Sequence, residues 1–223
     1  MKRILVPTDF SKEAGYALDA AANISSKTGA QILLMHVVEG FVHGSFSTQG
    51  GTPDDLSEEV FMKKLLEKGK SDLEKLVTNR NLEGVSISTA VKVGNPFHHI
   101  ARDILDNEAD LVIIGSKGAS GYEEVLIGSN TERVVRHSNC PVITVKEPID
   151  FTQVTDIVFA ADFIDTEDNV ANHLKNLQNV LDAKLHLVKV DTPSNFESSR
   201  EIKNRIHTFV RSFLHAVYNP PPG

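Results

Sequence analysis

The chain has a single cysteine, Cys140, among 223 residues. One thiol excludes an intramolecular disulfide and any metal site built from several cysteines. Long apolar runs are missing too: none approaches the ~18 residues that a membrane-spanning helix needs. The opening stretch Met1-Lys2-Arg3-Ile4-Leu5-Val6-Pro7 meets Asp9 too early for the apolar region of a signal peptide. No membrane partner is expected, and a cytoplasmic location is. Positive charge is scarce. The net charge is −7, with 16 basic and 20 acidic residues up to position 147 and 7 and 10 after it. Generic binding to a nucleic-acid backbone needs clustered Lys and Arg, so no nucleic-acid partner is expected. What the chain does have is an ordinary globular composition, 40% hydrophobic and 24% charged. Its length exceeds the roughly 100–200 residues typical of one domain, which predicts one full domain plus something extra, or two small ones.

The pattern alternates strand and helix. Residues 3–8 read as a short buried strand, and Ser11 caps a helix carrying Ala14, Ala17, Leu18, Ala21 and Ile24 at helical spacing, with Gly29 as the stop. Residues 31–38 are a continuous apolar run, as in a strand buried on both faces. Residues 39–51, rich in Gly, Ser and Phe, read as a mobile loop. Thr52-Pro53-Asp54-Asp55 starts a helix that Phe61, Leu65, Leu73, Leu76 and Val77 carry to about Asn79. A strand at 85–93, the turn Gly94-Asn95-Pro96, a helix at 97–105, a strand at 111–114, a helix at 131–137 and a strand at 142–145 follow. Strands separated by helices are not hairpins, so the fold class is α/β, an open doubly wound sheet of five parallel strands. Ligands of such sheets sit beyond the carboxyl ends of the strands, where strand order reverses.

Residues 157–191 lie on 4–38 at a constant offset of 153 without a gap, and the match includes Asp162 on Asp9 and Phe163 on Phe10. The chain therefore reads as a complete domain, 1–147, and a truncated second copy, 148–223, of strand, helix, strand (184–190) and a last helix near 196–217. Two strands and two helices make a poor isolated core.

After the fourth strand comes Gly115-Ser116-Lys117-Gly118, then nine residues, then Gly128-Ser129-Asn130-Thr131 opening a helix. Glycine lets backbone approach a phosphate closely, and a helix start offers free N–H groups and a positive dipole end to an anion. Ser129 and Thr131 add hydroxyls and Lys117 a charge. One glycine here would more simply shape a turn; this many, between strand and helix, favour a ligand. The pattern is not a Walker loop, because no Gly-Lys-Ser/Thr follows the second glycine cluster.

Taken together, Ile4-Leu5-Val6-Pro7-Thr8-Asp9-Phe10-Ser11, His36-Val37, Gly94-Asn95-Pro96, Gly115-x2-Gly118-x9-Gly128-Ser129 and Val134-Val135-Arg136-His137-Ser138-Asn139-Cys140-Pro141-Val142 resemble the universal stress protein family, in its ATP-binding branch. The resemblance covers the first 147 residues fully and the rest in part. It implies a Rossmann-like domain that binds ATP, or ADP or AMP, with Mg²⁺ or Mn²⁺ carried by the phosphates and weak or absent hydrolysis. It places Pro7, Thr8 and Asp9 at the adenine and ribose end and Val37 in the adenine pocket. Gly115, Gly118, Gly128 and Ser129 would hold ribose and phosphates, with Asn130 and Thr131 close by. The second copy departs from the pattern: Ala160-Ala161 replaces Pro7-Thr8 and no glycine loop exists, so no nucleotide is expected there. The family also pairs domains along the fifth strand, here Val142–Val145, which together with the incomplete copy predicts a homodimer or higher even oligomer.

Other chemistry-bearing residues read as structural. His98 and His99 are adjacent on a helix and point about 100° apart, unlike a ligand pair. His36 reads as a strand-end residue, Cys140 as an inert buried thiol, and Glu123-Glu124 as facing away from any phosphate. Asp9 reads as a ligand contact rather than a base. No carboxylate cluster marks a protein-built metal site. The expected function is a nucleotide-dependent sensor or regulator. The alternatives are a slow ATPase or adenylate-handling enzyme, and a nucleotide-free scaffold.

Overall fold

The computed structural model describes residues 1–39, 55–80, 82–117, 127–164, 168–190, 192 and 197–215. The chain divides into two compact units, Met1–Asp150 and Phe151–Gly223.

In the first unit β1 (Arg3–Thr8), β2 (Gln31–Val38), β3 (Ile87–Val93), β4 (Leu111–Gly115) and β5 (Val142–Val145) form one parallel sheet in the order β3-β2-β1-β4-β5. This is the expected α/β architecture. The connections are α1 (Lys12–Thr28), α2 (Asp55–Thr78), α3 (Pro96–Asp106) and α4 (Ser129–His137). The chain starts in mid-sheet, runs outward through β2 and β3, and returns to the other side of β1 for β4 and β5. The order therefore reverses between β1 and β4.

The central strands read as unbroken apolar runs because both faces are covered. On one face Leu5, Met35, Val112 and Ile114 pack with Ile100 and Ile104 of α3 and Val134 of α4. The alternate residues Ile4, Val6, Ile32, Leu34 and Ile113 are fully buried on the other, where α1 and α2 lie against the sheet. Burying one such aliphatic side chain contributes about 1.5–3 kcal/mol. The hydroxyl of Ser11 accepts from the Ala14 N–H and starts α1; Gly29, at φ 72°, ends it. Helix α3 is capped by Asn95, whose side chain accepts from the His98 N–H, with Pro96 in its first turn.

Some boundaries differ from expectation. Strand β3 starts at Ile87 because the Val85 N–H is taken by the Leu82 carbonyl in a turn. Helix α4 starts at Ser129, two residues early, because Gly128 is already its N-cap. The expected loop at 40–51 and the helix start at 52–54 lie outside the described residues.

In the second unit β6 (Asp156–Ala160) and β7 (Lys184–Val188) form a parallel pair, with α5 (Asp168–Leu181) and α6 (Ser199–His215). The core is richer than its length suggested: Phe163, Phe209 and Phe213 gather with Ala171 and Leu174 on one face of the strands, and the Phe159 and Phe209 rings stack at 5.3 Å. Strand β7 ends at Val188, short of the expected 190. Helix α6 starts at Ser199 because Ser198 and Glu201 satisfy one another's backbone N–H groups in a capping box.

The offset of 153 recurs in the geometry. Ile4 pairs with Ile32 and Ile157 with Leu185, and all five β6–β7 pairs map onto β1–β2 pairs; Thr8 with His36 has no counterpart. Asp9 Oδ1 accepts from the Ser11 N–H at 3.0 Å, and Asp162 Oδ1 from the Ile164 N–H at 3.1 Å. The residue after each aspartate is left-handed, Phe10 at φ 65° and Phe163 at φ 58°. Gly29 corresponds to Asp182, which is also left-handed at φ 53°. No atom lies within 4 Å of a side chain placed at Gly29, so the conformation alone sets the cost of one. Gly29→Ala should lose about 1–2 kcal/mol, and Asp182→Gly should gain up to about 1 kcal/mol. Urea unfolding of the two variants checks the opposite signs.

Candidate functional site

A cleft of about 340 Å³ opens at the carboxyl edge of the sheet, beside the reversal between β1 and β4. That volume suits a small organic ligand. Pro7, Thr8 and Asp9 reach it from the end of β1, Val37 from β2, Gly115 and Lys117 from β4, and Gly128, Ser129, Asn130 and Thr131 from the start of α4. These are the residues nominated from sequence, apart from Gly118, which lies outside the described residues.

The lining is mixed. Met35, Val37, Ile100 and Ile114 give it an apolar part, and the N-terminus of α4 lines the same cleft. Its N-cap is Gly128, which has no side chain to accept a capping bond, so the first-turn amides and the positive dipole end face the cleft; the acidic residue of that turn, Glu132, pairs with Arg136. Ser129 and Lys117 line the cleft as well. Asp9 and Glu39 bring carboxylates to the mouth.

The loop between β4 and α4 is closed at its base. The Gly128 N–H donates to the Ser116 carbonyl at 2.8 Å, and the Ser116 N–H to Val145 at 2.8 Å. The buried Thr131 hydroxyl donates to the Gly115 carbonyl at 2.9 Å. Thr131 thus ties α4 to β4, and its proton is not available to a phosphate. Gly115 has a packing role of its own: a Cβ there would lie 2.8 Å from both Glu13 C and Ala14 N. The first turn of α1 presses backbone to backbone against β4, which only glycine allows.

Asp9 is likewise engaged locally, through the Ser11 N–H, and Thr8 Oγ1 accepts from the Phe10 N–H at 3.1 Å. Behind them the His36 ring holds the Thr8 carbonyl through Nδ1 at 2.8 Å and lies against Phe10 at 4.4 Å. His36 therefore positions the end of β1. Burial pushes the Cys140 thiol up, opposed in part by the Ser138 hydroxyl, in keeping with an unreactive thiol. His99 Nε2 bonds the Val93 carbonyl, while Phe97 stands beside both His98 and His137. Among the described residues no group of three metal-ligating side chains gathers. No described helix is long and apolar enough to cross a membrane.

Residues 1–146 match the universal stress protein family. The chain belongs to that family. Among curated members, one from Methanocaldococcus jannaschii is 33% identical over 147 residues, spanning 66% of this chain and 83% of its own length. A second from the same organism is 31% identical over 153 residues; its solved structure superposes with a TM-score of 0.56 over 66% of this chain and 96% of that one. The universal stress protein UspA of Lactobacillus plantarum superposes at 0.54 with 26% identity, over 65% and 97%. A putative universal stress protein of Pseudomonas aeruginosa, 17% identical, shares the fold over 99% of this chain and 72% of that one, with a TM-score of 0.56.

Sequence reasoning missed Met35, Ile100 and Ile114 as cleft residues, because apolar residues at strand and helix positions read as core. Register offered a signal for one of them: Met35 and Val37 are two apart on one strand and so share a face. Ser116, next to Gly115, does not line the cleft; among the described residues its buried hydroxyl has no hydrogen-bond partner.

Gly115→Ala should destabilise this universal stress protein domain by about 1–3 kcal/mol, the usual cost of overpacking, with no nucleotide present. Thermal unfolding of the ligand-free variant checks this. An unchanged Tm would mean that α1 yields at no cost.

Proposed function

We propose that residues 1–147 form an adenine-nucleotide receptor, with ATP as the intended ligand and ADP or AMP as weaker ones, serving a regulatory rather than a metabolic role. The observation that carries this reading is the make-up of the cleft: apolar Met35, Val37 and Ile100 line it together with Ser129, Lys117 and the start of α4, whose Gly128 N-cap makes no side-chain capping bond. A flat base fits the first and an anionic tail the second. The family resemblance points the same way. Gly128, Ser129 and Asn130 would hold phosphates through backbone N–H groups, with Lys117 as a counter-charge. Mg²⁺ or Mn²⁺ fits as cargo of the phosphates, with the Asp9 and Glu39 carboxylates at the mouth; such an ion would neutralise phosphate charge. Thr131 and Gly115 hold this cradle in place.

Asp9 is held by the turn it caps, through the Ser11 N–H, and the family resemblance implies weak or absent hydrolysis. Turnover should be far below the ~10 s⁻¹ of a median enzyme. The output would then be conformational: nucleotide bound between the end of β4 and the start of α4 changes the surface there, and partners read the change. Residues 151–215 are read as a partial second copy, supported by the shared register and the paired Asp-Phe turns, and without nucleotide binding of this kind. The free edge of β5 is the proposed seam of a homodimer.

The first test compares nucleotides. ATP at about 100 times its Kd should stabilise the fold by about 2.7 kcal/mol, and GTP at the same concentration by much less. Equal stabilisation by both would remove the adenine slot from the account. Ser129→Asp tests the phosphate end. A carboxylate in the first turn suits the helix but repels a triphosphate, so ATP affinity should fall at least about tenfold while adenosine binding persists. Calorimetry that shows ATP unaffected would place the phosphates elsewhere.

A further inference from the structure

The β6–β7 sheet is covered on one face only. Ile157, Phe159, Leu185 and Leu187 turn toward the phenylalanine cluster. Their neighbours do not: Val158 is 65% exposed, Val188 37% and, just beyond the strand, Val190 73%. Asp156, Lys184 and His186 occupy the same face, with His186 Nε2 2.6 Å from Asp156 Oδ1.

In the first unit the corresponding face is packed. Leu5 and Met35, which correspond to Val158 and Val188 at the offset of 153, are buried under Ile100, Ile104 and Val134. The aliphatic character of these positions persists in the second unit, and no described residue of that unit supplies an equivalent cover. Toward the other end of the face the chemistry changes. Gln31 and Leu33 correspond to Lys184 and His186, so basic side chains replace neutral ones. Asp103, between Ile100 and Ile104 on α3, borders a cavity of about 140 Å³ together with Gln31 and Leu33. The carboxylate of the covering helix thus lies beside the two positions that are basic in the second unit.

We propose that the exposed β6–β7 face docks an amphipathic helix of a partner protein, one carrying two aliphatic residues four apart with a carboxylate just before the second. The pattern is that of Ile100, Asp103 and Ile104. The inference rests on reading residues 151–215 as a partial second copy. The two aliphatics close over Val158 and Val188, and the carboxylate meets Lys184. This is helix-on-surface recognition through residues one turn apart. A second copy of the same face fits less well: it brings the same Lys184 and His186, and its one carboxylate on this face, Asp156, is already engaged.

The test uses the full chain and an acetylated, amidated peptide of residues 94–107, which keeps the Asn95 cap, labelled with fluorescein and followed by anisotropy. Saturable binding is expected. It should weaken at least about tenfold with Ile104→Asp or Asp103→Lys in the peptide, and equally with Val158→Lys in the chain, an exposed position where lysine leaves the fold intact. No saturable binding overturns the proposal. Binding indifferent to Val158→Lys also overturns it, since the peptide then sits elsewhere. So does a dimer that Val158→Lys dissociates, because a second copy then holds the face. Hydrogen exchange on the same samples separates the two readings. Protected β6 and β7 amides without peptide binding defeat the docking alone; unprotected amides defeat the partial-copy reading with it.

Discussion

Everything at the candidate site hangs on one contact, the backbone of α1 pressed against the backbone of β4 at Gly115. With Glu13 C and Ala14 N each 2.8 Å from where a Cβ would stand, β4 ends directly under the first turn of α1. The Gly115 carbonyl then receives the Thr131 hydroxyl, and the next residue, Ser116, bonds Val145 on one side and Gly128 on the other. A short segment thus fixes where α1, α4 and β5 meet. The cleft is the space left beside that junction.

The order of the sheet gives this junction its consequence. Because strand order reverses between β1 and β4, the connections leaving those two strands diverge, and a crevice opens between them. The crevice has an apolar part because strand interiors run to their carboxyl ends, and a polar part because a helix begins there. The Asp9 carboxylate serves the turn that follows β1.

Much of the first unit was legible in the sequence. β1, β2 and β4 are unbroken apolar runs, and α1 and α3 carry caps at Ser11 and Asn95 that the structure uses as such. The cleft residues were legible where glycines and hydroxyls cluster. They were not where the site borrows core residues, as at Met35 and Ile114, because burial and ligand contact demand the same side chains. Roles were less legible than places. Thr131 looks like a phosphate donor in sequence, yet it spends its proton on Gly115, and the glycine at 115 answers to α1. Asp103 went unremarked because a carboxylate on the apolar stripe of α3 breaks the periodicity; its partner Lys92, 3.5 Å away, sits on another element.

The Asp-Phe pair shared by residues 9–10 and 162–163 teaches the same lesson. In both places the aspartate takes the N–H two residues on and the phenylalanine is left-handed. The pair is a turn device in both places. The central claim, a nucleotide in the cleft of the first unit, is tested most directly by amide NMR of the full chain titrated with ATP. The account predicts shifts at Val37, Gly115, Lys117, Gly128 and Ser129, with residues 151–215 unmoved. Shifts confined to residues 151–215, or none at millimolar ATP, would contradict it.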